Sequence, residues 1–132
     1  MYYEDVDICR RVRNAGFEAA LCSNISIEHN HGGSSRINIK TASLTKTEVN
    51  ISRHVYISKH KSGLNRFIIQ AFLVINNIIS GGLVAIIGLI LFFIPRLFAR
   101  TLIFLRILKY YVISLSRGSW ISSRSVNFNK LH

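Results

Sequence analysis

The sequence predicts an α/β segment over residues 1–63 followed by a mostly helical, membrane-associating region over residues 64–132. Three observations carry that expectation. A helical pattern at the start is followed by two short apolar runs separated by a turn. A stretch of 28 residues, Phe67 to Ile94, has no charged side chain. Beyond Pro95, apolar residues recur at helical spacing with bases between them.

Glu4 to Ala15 has helical spacing, with Val6, Cys9 and Val12 about one turn apart and Cys9 read as core-facing. Acids in the first turn and bases at Arg10, Arg11 and Arg13 complement the helix dipole. Gly16 stands where a left-handed residue ends a helix. Phe17 to Cys22 and Ile25 to His29 are expected as short strands around a Ser23-Asn24 turn. Asn30 to Ser35 is a polar loop containing Gly32-Gly33. Arg36 to Asn50 has no clear period and is expected as a surface excursion, and Ile51 to His60 as a helix.

The uncharged stretch exceeds the ~20 residues that cross a bilayer core. Gln70, Asn76, Asn77, Ser80 and Gly81-Gly82 divide it into two apolar arms, Phe67–Ile79 and Leu83–Ile94. A spanning helix, a re-entrant hairpin and an interfacial pair all remain open. After Pro95, Leu97, Thr101, Phe104, Leu108, Tyr111 and Leu115 form one uncharged helical stripe. Arg96, Arg100, Arg106, Lys109 and Arg117 lie off it, which fits either a solvated face or a helix resting on anionic headgroups.

Composition narrows the function. With 49% hydrophobic residues and 17% charged residues, the chain is too apolar for intrinsic disorder. Two cysteines do not make a disulfide scaffold and fit a reducing compartment. The net charge is +11, distributed as −2 over residues 1–30 and +13 over residues 31–132. An anionic partner is therefore expected. In the basic half, long apolar runs separate the cations and no recognition motif occurs, so a membrane surface is favoured and nucleic acid is not. The opening residues carry acids where a secretory leader requires bases.

Three groups of residues can carry chemistry. Three neighbouring acids, Glu4, Asp5 and Asp7, are expected to suit a proton acceptor, although acids at a helix start often serve the dipole alone. His29 followed by Gly32, Gly33 and Ser34 can hold a metal or a phosphate, or form a solvated turn. Cys9, Cys22, His29 and His31 lack the close ligand pairs of structural zinc sites.

Residues 2–35 contain an E-D-V-D-I-C-x-R run, an A-G-F helix ending and an H-x-x-G-x-S loop, and residues 53–63 read R-x-x-Y-x-x-K-H-x-x-G. Together these resemble the C-terminal part of family 2 glycosyltransferases, in particular rhamnosyltransferase-type enzymes of bacterial cell-surface polysaccharide synthesis. The resemblance implies part of a GT-A fold and inverting transfer from a nucleotide-sugar donor to a glycan or lipid-linked acceptor. It implies Asp5 as general base, Glu4 supporting it and Asp7 at the acceptor. His29 would be a ligand of a divalent metal (Mg or Mn), and Gly32, Gly33 and Ser34 a loop over the phosphates. The family's donor-side D-x-D ligands are missing from this chain, which is therefore expected to be a C-terminal piece, inactive alone, on the cytoplasmic face of the membrane. The rivals are a small basic membrane protein and a peripheral adaptor without catalysis.

Overall fold

A computed structural model describes residues 3–20, 22–26, 38–126 and 128. Among these residues there are four helices and no strand: α1 (Tyr3–Asn14), α2 (Ile39–His60), α3 (Gly63–Ile90) and α4 (Pro95–Arg117). The expected α/β architecture, and with it the GT-A sheet, is thereby corrected to an all-helical one. Phe17 to Ala20, Cys22, Ile25 and Ser26 are extended or irregular and pair with nothing as strands. Short apolar runs do not choose between strand and coil without a partner edge.

α1 ends as its sequence predicts. Gly16 adopts φ +86°, the Phe17 N–H donates to the Val12 carbonyl and the Gly16 N–H donates to the Arg13 carbonyl. These two bonds close the helix in a Schellman motif.

α2 replaces the expected surface excursion, running from Ile39 well upstream of Ile51. Asn38 caps it, its side chain accepting from the Thr41 N–H at 2.8 Å. The buried stripe of α2 is Ser43, Thr47, Ile51, His54 and Ile57, so its first half is polar. Two hydroxyls on that stripe bond back along the helix, Ser43 to the Lys40 carbonyl and Thr47 to the Ser43 carbonyl. A helix whose inner face is serine and threonine has no apolar period to read.

α3 is a single helix of 28 residues, roughly 42 Å long at 1.5 Å per residue, and is long and apolar enough to cross a membrane. The polar and glycine positions that divide its sequence do not break it: Gln70 pairs with His54 on α2, Asn77 with Tyr111 on α4, and the Ser80 hydroxyl bonds back to the Asn76 carbonyl. Gly81 and Gly82 lie under the Phe104 ring. At Gly88 a methyl group would run into the Leu97 carbonyl, so only glycine permits this approach of the two backbones. Thr101 locks the pair by donating to the Ala85 carbonyl at 2.9 Å. Residues 91–94 turn the chain, and Pro95 at the first position starts α4.

α4 packs against both α3 and α2. The small apolar core comprises Ile51, Ile107, Tyr110 and Tyr111, with Val55, Val74, Ile103 and Trp120 against it. The inner face of α4 is thus Thr101, Ile107, Tyr110, Tyr111 and Ser114. Leu115, expected on the packed stripe, is 79% exposed, because α2 and α3 draw the buried face round towards Ile107 and Tyr110.

Candidate functional site

The acidic motif lies on α1, which buries no residue completely and rests on α2. The side chains that hold it there come from the R-x-x-Y-x-x-K-H stretch. Arg53 Nε donates to the Tyr3 hydroxyl at 3.0 Å, and the Tyr3 and Tyr56 rings are 5.4 Å apart. Arg10 reaches the Tyr56 hydroxyl at 3.4 Å. Asp7 receives His60 Nε2 at 2.5 Å and Lys59 Nζ at 3.2 Å, with Arg11 Nε at 3.5 Å. All four lettered side chains of the second motif therefore touch the helix of the first.

This arrangement separates the three acids. Both oxygens of Asp7 are occupied, and the bond from His60 holds its carboxyl below the usual value, with Lys59 adding to the effect against partial desolvation. Asp7, expected at the acceptor, is placed here as the clamp of α1 on α2. Glu4 and Asp5 lie in the first turn of α1 and are exposed. Among the described residues neither has a hydrogen-bond or ion-pair partner. Tyr3, Glu4, Asp7, Ser52, Val55, Tyr56 and Lys59 enclose a shallow cleft of ≈ 190 Å³ beside them.

His29, Gly32, Gly33 and Ser34 lie outside the described residues. The described residues do not make a metal site. No group of three or more His, Cys, Asp or Glu side chains is found among them, and the one acid–imidazole pair, Asp7 with His60, is shared with two cations. Cys9 and Cys22 are free and exposed, so Cys9 is not the core residue that its helical spacing predicted.

A second polar centre, absent from the sequence expectations, sits where α2, α3 and α4 meet. His54 is fully buried. Its Nδ1 pairs with the Gln70 side-chain oxygen, and the Gln70 amide donates back to the His54 carbonyl at 2.9 Å. Its Nε2 pairs with the Tyr111 hydroxyl at 3.0 Å, which also accepts from the Asn77 amide at 2.7 Å. A neutral ring satisfies every member: Nδ1–H donates to Gln70 and Nε2 accepts from Tyr111. Burial lowers the proton affinity of this histidine, against a smaller opposing effect of Gln70. The indole of Trp120 stacks on the ring at 4.9 Å. The one signal for it in the sequence is its place inside the R-x-x-Y stretch, between two residues that reach α1.

Comparison with protein-family models, characterised proteins and solved structures finds no match for this chain.

Proposed function

We propose that residues 1–63 form the acceptor side of an inverting glycosyltransferase using a nucleotide-activated, rhamnose-like sugar. Residues 64–132 hold that side at the cytoplasmic face of a membrane, next to a lipid-linked or surface glycan. One observation carries the catalytic part: the interlock of the E-D-V-D helix with Arg53, Tyr56, Lys59 and His60. A chance likeness gives no reason for two stretches about fifty residues apart to meet, with Lys59 and His60 of the second both on Asp7 of the first. The clamp at Asp7 and Tyr3 fixes α1 and leaves Asp5 pointing to solvent. In the proposed step the Asp5 carboxylate takes the proton of the acceptor hydroxyl. That oxygen bonds to the anomeric carbon as the bond to the departing diphosphate breaks, inverting the configuration. No step is assigned to a metal, whose ligands are sought outside the described residues.

The membrane part is supported by the surface of α3. Phe67, Phe72, Ile75, Ile79, Leu83 and Ile90 are all more than half exposed, and exposed large apolar side chains in such number mark a membrane or partner contact. α4 decides how the hairpin lies. Arg100, Arg106 and Lys109 fall along its middle, and each costs about 2.5–3.5 kcal/mol at the centre of a bilayer. At headgroup level each instead gains about 1 kcal/mol from anionic lipid. The balance favours an in-plane hairpin, with α3 sunk by its outer face and α4 riding at the headgroups. Two free thiols and the nucleotide-sugar donor fit the cytoplasmic side.

The test of the catalytic part is Asp5→Asn in an enzyme carrying this segment. Turnover should fall by roughly 10²–10⁴ with the fold unchanged, since the side chain has no partner among the described residues. Near-normal turnover would make Asp5 a helix-start acid and pass the general-base role to another residue.

A further inference from the structure

We propose that the wedge between α2, α3 and α4 binds one anionic phospholipid, its phosphate on Arg100 and an acyl chain along Val84, Ile103 and Phe104. The site rests on the membrane placement argued above. α2 and α3 are tied together close to their shared loop by the His54–Gln70 pair and make few other contacts, while α4 touches both. Asn50 of α2 and Ser80, Gly81 and Val84 of α3 border a groove of ≈ 500 Å³ against α4.

The lining has the chemistry of an amphiphile site. Its walls are apolar at Val84, Ile103 and Phe104, and Asn50 and Ser80 bring an amide and a hydroxyl. Arg100 is the only cation lining it and has no carboxylate partner among the described residues. One unpaired guanidinium suits a phosphodiester carrying a single charge, and falls short of what a polyphosphate needs. Val84 also belongs to the exposed face that continues through Leu83 and Ile87. A chain lying in the wedge therefore runs out onto the proposed lipid-facing surface without crossing a polar barrier.

The experiment is native mass spectrometry of the full chain in mild nonionic detergent, titrated with dioleoyl phosphatidylglycerol. One lipid should be retained. Arg100→Gln should weaken retention by about 10- to 100-fold, the value of a charge-assisted contact. Lys109→Gln removes the same charge from the same helix outside the groove and should cost no more than about fivefold. Val84→Trp fills the wedge without changing charge and should also abolish retention. Ser80→Phe, at an exposed position of the same wedge, serves if helicity shows that the tryptophan variant does not fold. Equal effects of Arg100→Gln and Lys109→Gln, or full retention in a filled wedge, would reduce the site to diffuse surface attraction and overturn it. Displacement of the lipid by millimolar inorganic phosphate would also overturn it, leaving a phosphate site. Failure to bind anionic vesicles at all would instead remove the membrane placement, whereas vesicle binding without lipid retention would remove only this site.

Discussion

His54 and His60 lie on one helix, less than two turns apart, in opposite circumstances. His54 is sealed among Gln70, Tyr111, Tyr110 and Trp120, and all of these partners are uncharged. His60 lies near the surface against the carboxylate of Asp7, with Lys59 and Arg11 alongside. The first arrangement gives its strength to the fold, because a buried polar group that loses its partner has no water to replace it. In the second, His60 and Asp7 are largely covered, but Lys59 and Arg11 are more than half exposed and gain little over hydration. The difference divides the labour of α2: one face builds the bundle and the other aims α1.

The largest expected effect breaks the buried side. His54→Ala removes a ring stacked on Trp120, opens a cavity and strands Gln70 and Tyr111. By analogy with aromatic truncations it should cost about 3–5 kcal/mol, read by denaturant unfolding in detergent. A loss under about 1 kcal/mol would mean that water fills the centre. Gly88→Ala comes next, at about 1–3 kcal/mol, since the added methyl must push the Leu97 backbone away. An unchanged stability there would mean that α3 and α4 slide freely.

Acid separates the two histidine sites further. His54 takes a proton less readily folded than unfolded, so the stability it provides is complete above the ordinary value of 6.5. That stability drains as pH falls below 6.5 towards the lower folded value. Asp7 also has a depressed folded value, so its contribution is present above 3.8 and lost below it. A stability profile should therefore step down twice, with His54→Phe flattening the upper step and Asp7→Asn the lower. An upper step that survives in His54→Phe would assign it to another group. The smallest effect is Asp7→Asn at neutral pH, below about 1 kcal/mol. In an enzyme carrying the segment, it should reduce activity more than stability, by letting α1 and Asp5 swing. Equal loss of both would make the clamp purely structural.

Much of this was readable wherever chemistry repeats along the chain. The caps at Gly16 and Pro95, the Ser23-Asn24 turn and the apolar character of Phe67 to Ile90 follow from local residue preferences. The first half of α2 was hidden because Ser43 and Thr47 stand where a core helix usually shows leucine. The polar residues of α3 read as interruptions because their partners, His54 and Tyr111, lie 16 and 34 positions away. The motif letters brought Asp7, Arg53, Lys59 and His60 into view. Their meeting was not foreseeable, since no periodicity links α1 to α2 across residues 27–37. The expected strand at Phe17 to Cys22 is not seen over its described residues for a related reason: a short apolar run names a strand only when an edge is there to receive it. Ile27 to His29 of the other expected strand lie outside the described residues.

The stack of Trp120 on His54 has a consequence for observation. Trp120 is the only tryptophan in the chain, and its ring lies within 8° of parallel to the imidazole. Its fluorescence is therefore a single-site gauge of whether the segment after α4 is seated on α2. Because an imidazolium quenches indole emission more strongly than a neutral ring, the intensity and the wavelength report different events. Dimming at constant colour follows protonation of a closed bundle, and a red shift follows its opening to water.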